Sequence, residues 1–223
     1  MSNIIPKDIY LLPEFQWTKS LDFPEYDLDN VAGFEIGLDG YIYFFSETND
    51  EEILISKYNI NLEKKWTKLL NDRVFNSDAG EIGVDGSIVV AGYPEDEGSD
   101  QTDDGFIVKL NSNLETQWTA TLLSTGRDYI DDITTGIDGS IYIVGETSGD
   151  LDGQTNSGNG DGFISKFTQD GNKDWTRLVG SNGWDYVEDI TIGTDGSIYI
   201  AGYTEGDLDG QTNSGNGDGF ISK

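Results

Sequence analysis

A Trp-Thr pair recurs at Trp17, Trp66, Trp118 and Trp175, spaced 49, 52 and 57 residues apart. Between these pairs the same elements return in the same order. An Asp-Gly step follows each Trp, at Asp39, Asp85, Asp138 and Asp195, and an apolar run such as Ser140–Val144 comes next. Then comes Gly-Phe-Ile-Ser/Val-Lys, ending at Lys109, Lys166 and Lys223, with Ile53–Lys57 as a divergent first copy. Residues 149–166 and 206–223 are identical. A repeat of this length restricts a chain to stacked or radial architectures, because each unit must bury its apolar faces against a neighbouring unit.

Each unit reads as four short strands. Asp-Gly between two apolar stretches is a strong hairpin signal, and a two-residue turn there calls for positive φ at both residues. The strand before the Asp-Gly is termed A and the one after it B. The Phe-Ile-Ser-Lys segment is C and the Trp-Thr segment D. Strand A is poor in bulky residues (Ala79–Gly83), as an innermost strand near an axis is expected to be. Strand B is apolar on both faces, which fits a strand covered from both sides. Tandem four-stranded units of this size specify an all-β chain folded as a β-propeller of four-stranded antiparallel blades.

Read as one propeller domain over 1–223, the units run approximately 14–65, 66–117, 118–174 and 175–223. A D strand around Phe15–Leu21, three A-B-C-D sets and a final A-B-C make sixteen strands, or four blades closed by the N-terminal strand. A monomer closed in this way is the expectation, with a strand-exchanged dimer as the alternative.

The strings Asp195–Thr204, Leu208–Gly215 and Asp161–Phe167 resemble the bacterial β-propeller repeat family of seven-bladed type repeats, common in cyanobacterial and other bacterial surface or secreted proteins. The resemblance is strong over residues 66–223 and weaker over 14–65. It implies the propeller fold and an extracellular or cell-surface setting, and it brings no catalytic residues. A cytoplasmic location is the alternative, since no apolar run near the N-terminus has the length of a signal peptide or membrane span.

Composition removes several chemistries. The 223 residues include no His and no Cys, which excludes Ser-His and Cys-His nucleophiles, thiol redox chemistry and His/Cys zinc sites. Forty-two acidic against 13 basic side chains leave a formal charge of −29. A chain this acidic repels phosphate backbones and anionic lipid, so neither nucleic acid nor membrane insertion is expected.

Length differences between units fall in the D–A and B–C connections, which an up-and-down meander places on one face, and binding concentrates in such variable loops. The same connections hold much of the acid. The second unit's B–C loop has Asp96, Asp100, Asp103 and Asp104, while the D–A side has Asp128, Asp131, Asp132, Asp185, Glu188 and Asp189. In the last two B–C loops, Asp150, Asp152, Asn156 and Asp161 and their copies Asp207, Asp209, Asn213 and Asp218 offer the hard oxygens that Ca2+ prefers. Asp150, Asp152 and Asp161 fall at positions 1, 3 and 12 of an EF-hand-like spacing, without its acid at 5 or glycine at 6. These side chains are equally good turn formers.

The functional expectation is therefore a non-catalytic acidic binding or scaffold module, with Ca2+ in the B–C loops and a loop face that contacts protein or glycan. A purely structural propeller without metal is one alternative and a carboxylate-dependent glycan-cleaving enzyme a second. Trp184 stands outside the repeat phase, read as a packing residue or as a stacking platform for a ligand.

Overall fold

A computed structural model describes residues 19–49, 52–70, 79–93 and 104–223. The hairpin between strands A and B is built alike in every unit, but differs from the expected two-residue turn. In the first unit Gly40 donates its N–H to the Gly37 carbonyl, and Gly37 donates to Tyr41. Positive φ belongs to the glycines alone, Gly40, Gly86, Gly139 and Gly196, at 74° to 78°. Each preceding Asp turns its side chain back instead, and Oδ1 of Asp39, Asp85, Asp138 and Asp195 accepts the N–H two residues on at 2.9 to 3.1 Å. That side-chain turn is the reason for the Asp, and the left-handed residue that closes the hairpin is the reason for the Gly.

The meander that results gives four antiparallel sheets arranged as a four-bladed β-propeller. The first blade comprises β1 (Leu28–Ile36), β2 (Ile42–Thr48), β3 (Ile53–Tyr58) and β4 (Lys64–Leu70). The second has β5 (Ala79–Ile82), β6 (Ile88–Gly92), β7 (Phe106–Leu110) and β8 (Thr116–Thr121). The third has β9 (Asp128–Thr135), β10 (Ile141–Thr147), β11 (Asp161–Phe167) and β12 (Lys173–Val179). The fourth contributes β13 (Asp185–Ile192), β14 (Ile198–Thr204) and β15 (Asp218–Ser222). Strands pair with their sequence neighbours only, and the A strands of successive blades contact one another, so A is innermost in every blade and D outermost in the first three.

Packing follows the alternation of the strands. Tyr43, Phe45, Ile53 and Ile55 of the first blade meet Ile88, Val90, Val108 and Leu110 of the second. Val89, Ala91 and Ile107 on the opposite face of the second blade meet Ile130, Ile133, Ile143 and Phe163 of the third. Val144 and Ile164 then meet Val187, Ile190 and Ile200 of the fourth. Fully burying one such side chain stabilises by about 1.5–3 kcal/mol, so the three junctions are the main cohesive element.

Residues 15–18 of the expected closing strand, with Trp17, lie outside the described residues. Its described end, Lys19–Leu21, runs as irregular chain over the first blade. Lys19 donates to the Leu62 carbonyl at 2.7 Å, and Leu21 and Phe23 pack on a cluster with Leu54 and Tyr58. The described residues form no helix.

Candidate functional site

The face carrying the B–C and D–A connections is organised by the two identical loops. In each, Leu-Asp-Gly-Gln forms a two-residue hairpin, with Asp152 and Gly153 at φ of 52° and 75°, and Asp209 and Gly210 at 49° and 75°. Leu151 and Gln154 exchange both backbone hydrogen bonds, as do Leu208 and Gln211. Two consecutive left-handed residues are the geometry first expected at the A–B turns. The Asp-Gly step that needs it lies here.

Most loop acids expected as ligands are engaged locally. Asp150 Oδ1 accepts the Asn156 N–H at 3.0 Å, while Asn156 Nδ2 donates to the Thr147 carbonyl at 3.0 Å and its Oδ1 accepts from Gly158. Asp207 and Asn213 repeat this, with Asn213 bonded to Thr204 and Gly215. Asp152 pairs with Lys173 and accepts from the Thr176 hydroxyl on the outer strand of its blade. Asp161 accepts the Ser157 N–H, and Asp218 accepts the N–H and hydroxyl of Ser214. Asp150 and Asn156 are thus brought together, and so are Asp207 and Asn213. Asp152 points away to Lys173, and Asp161 faces the next blade. Among the described residues no three acidic side chains converge closely enough to hold a metal ion by themselves. Asp96, Asp100 and Asp103 lie outside the described residues.

At the junctions between blades the acids come in pairs that spacing did not reveal. Asp161 opens β11 and Asp185 opens β13 of the following blade; both are fully buried. Asp185 Oδ2 accepts the N–H and hydroxyl of Ser181 at 2.6 and 2.8 Å, whereas Oδ1 has no hydrogen-bond partner. Burial raises the Asp161 pKa, and the Asp185 charge adds to it. One blade earlier Asp104 and Asp128 occupy the same two places. Asp128 is fully buried, neither of its oxygens has a hydrogen-bond partner, and its pKa is pushed up to about 6. Burial is the main cause; the Thr147 and Ser124 hydroxyls, close by but outside hydrogen-bond geometry, offset it in part, and the Asp104 charge adds to it. An uncompensated buried carboxylate is costly, so this pair calls for a proton or a cation.

A second acidic group lines the axis. Asp131, Asp132, Glu188 and Asp189 were expected in connections, yet they belong to the innermost strands β9 and β13. Irregularities in strand register, between Val144 and Gly145 and between Val187 and Asp189, insert an extra residue there and reset which side chains face inward. Asp132 accepts the N–H groups of Ile133 and, across the junction, Ile190, at 2.8 and 2.9 Å. Glu81 on β5 is raised to about 7 by burial and the nearby Glu35 charge, and Thr135 donates to it. Glu146 is likewise raised to about 7, by burial and then by Asp131 and Glu188.

On the opposite face each strand-C lysine has a carboxylate partner. Lys57, Lys109 and Lys223 pair with the turn carboxylates Asp39, Asp85 and Asp195 of their own blades, and Lys166 pairs with Asp174. Trp184 is half-buried, stacked on Tyr186 with ring centroids 6.1 Å apart and packed over Gly160.

No family model matches the chain. Among curated proteins it is similar to the regulatory protein FlaEY of Caulobacter vibrioides, 28% identical over 143 residues. That match covers 56% of this chain and 15% of the relative, so the chain spans a small part of the relative's length. A crystal structure of a protein of unknown function from Bacteroides caccae aligns with a TM-score of 0.47 at 11% identity, covering 83% of this chain and 56% of that one.

Proposed function

We propose that this protein is a non-catalytic propeller scaffold that binds Ca2+ at its blade junctions and presents the loop face above them to a protein or glycan. The observation that carries the reading is Asp128, fully buried with both carboxylate oxygens unpartnered and Asp104 beside it. Asp161 and Asp185 repeat the arrangement one blade on, with Asp185 Oδ1 free. Two carboxylates supply up to four oxygens, and backbone carbonyls and water complete the six to eight that Ca2+ takes. A cation there would relieve the repulsion within each pair and tie one blade's strand C to the next blade's strand A. The loop ligands first expected then act indirectly, since the turns of Asp150, Asn156 and Ser157 shape the segment leading to Asp161.

The acids recur blade by blade rather than forming one asymmetric constellation, which supports binding over catalysis. The family resemblance supports an extracellular or cell-surface setting.

Thermal unfolding in EDTA and across a Ca2+ titration, with Mg2+ at matched ionic strength, tests the reading. A ligand specific to the folded state adds about 2.7 kcal/mol at a hundred times its dissociation constant. A saturable rise with Ca2+ alone, lost in an Asp128→Asn/Asp185→Asn double variant, is expected. An equal response to both ions, or none, would sink the proposal.

A further inference from the structure

The three internal junctions share one rule. The face of a blade that points forward along the chain packs chiefly on the innermost strand of the following blade, on β5, β9 and β13. Strand pairing identifies the equivalent positions. On the forward face Ile55, Ile107 and Ile164 occupy one place in the first three blades and are 0%, 0% and 8% exposed. Their counterpart in the fourth blade, Ile221 opposite Ala201, is 79% exposed. On the receiving strand Ile130 and Val187 are both 0% exposed, and Ile133 and Ile190 both 4%. Their counterparts on β1, Val31 and Phe34, are 55% and 65% exposed, and Ile36 beside them is 66% exposed.

The described residues therefore present two uncovered apolar faces, one at each side of the blade series. They are complementary in kind, since each is the half of a junction that the other lacks. The segment that carries Phe23 covers only the outer part of the first blade's open face, over Phe44, Leu54 and Tyr58. It reaches Leu28 at the start of β1 but leaves Val31, Phe34 and Ile36 exposed, and that inner strand is where a preceding blade would pack.

We propose that a second copy of this chain fills these faces: the forward face of its fourth blade, around Tyr203 and Ile221, docks on Val31, Phe34 and Ile36 of the first. Each copy offers one face of each kind, so two copies related by a twofold axis satisfy both contacts in a ring of eight blades. The geometry reuses a junction that the chain already builds three times, with aliphatic side chains meeting a receiving inner strand. The net charge of −29 on each copy opposes the approach, and salt screens it.

Sedimentation equilibrium of the full chain tests this at 0.05 and 0.5 M NaCl. The expected species has twice the 24.5 kDa chain mass and is favoured at the higher salt. Phe34→Asp and Ile221→Asp each weaken association at least tenfold, with unchanged circular dichroism, since both side chains are exposed within one copy. An equimolar mixture of the two variants regains a two-chain species, because one intact junction remains between the unlike copies. A monomer at both salt concentrations overturns the proposal. Assembly that continues beyond two chains overturns the closed pair, and a dimer indifferent to both substitutions places the contact elsewhere.

Discussion

The ammonium of Lys109 lies 3.2 Å from the carboxylate of Asp85, and only 3% of the lysine side chain is exposed. Gln169 of the next blade donates to the same carboxylate at 3.0 Å, and its backbone carbonyl accepts from Lys109 and from the Trp118 indole. Burial alone would raise the Asp85 pKa; the donors Ser87, Gln169 and Lys109 override it and hold the group well below the usual carboxylate range. The pair joins a turn of one blade to a turn of the next.

Asp85→Asn keeps the side-chain turn through Oδ1 but leaves the buried ammonium without its counter-charge. A loss of about 3 kcal/mol is expected, as for breaking other buried pairs. Asp195→Asn is the matched control, because Lys223 and Asp195 are 58% and 57% exposed, and solvent screening there is expected to leave stability close to the parent's. Urea unfolding of both variants at pH 7 checks the contrast.

Asp128 makes stability depend on pH in a defined window. Its folded pKa of about 6 exceeds the ordinary 3.8, so the folded state holds the proton more tightly. That contribution is fully present below pH 3.8 and is lost as pH rises through 6, a difference of about 3 kcal/mol. In EDTA, Asp128→Asn is expected to raise stability at pH 8 and to flatten the profile across this window. Chemical unfolding from pH 4 to 8 reads both.

Glu81 and Glu146 act in the same direction over a higher window. Each titrates at about 7 when folded against an ordinary 4.5, so their stabilising protonation disappears as pH rises from 4.5 through 7. Both remain partly open to solvent, and the gain expected from Glu81→Gln or Glu146→Gln at pH 8 is about 1–2 kcal/mol. Thermal midpoints at pH 8 and pH 5 check this: the gain appears at pH 8 and shrinks at pH 5, and a variant midpoint equal to the parent's at pH 8 contradicts the raised values.

Gly145 sits at the register irregularity of the third blade, where an added Cβ would collide with the Tyr129 carbonyl oxygen of the adjacent strand. Gly145→Ala is expected to destabilise by about 3 kcal/mol or more, because backbone rather than a flexible side chain must yield. Around Gly215 an added Cβ meets nothing within 4 Å, and Gly215→Ala is expected to be close to neutral. Differential scanning calorimetry of the pair measures the difference.

The four-stranded units were legible because their signals are local. Alternation in the B and C strands, the Asp-Gly step and the recurring Trp each need only a few neighbouring residues to be read. The candidate site was legible only in part. Asp150 and Asn156 do meet, but the partners of Asp128 and Asp185 come from the preceding blade, and no spacing within one unit reports a contact between two. Asp132 and Asp189 were expected in connections, whereas they pair with Val144 and Ala201 in the ladders to β10 and β14, each beside a bulged acid, Asp131 or Glu188.

By itself, then, the order of residues determined the strands, their sequence in each blade and the face on which loop length varies, because these depend on short-range backbone preference and burial period. Tertiary structure decided which Asp-Gly step adopts two left-handed residues, which carboxylates lose their water, and which apolar faces stay uncovered. Those outcomes depend on how one blade lies against the next. A charge becomes costly, or a face exposed, only once packing has set what surrounds it.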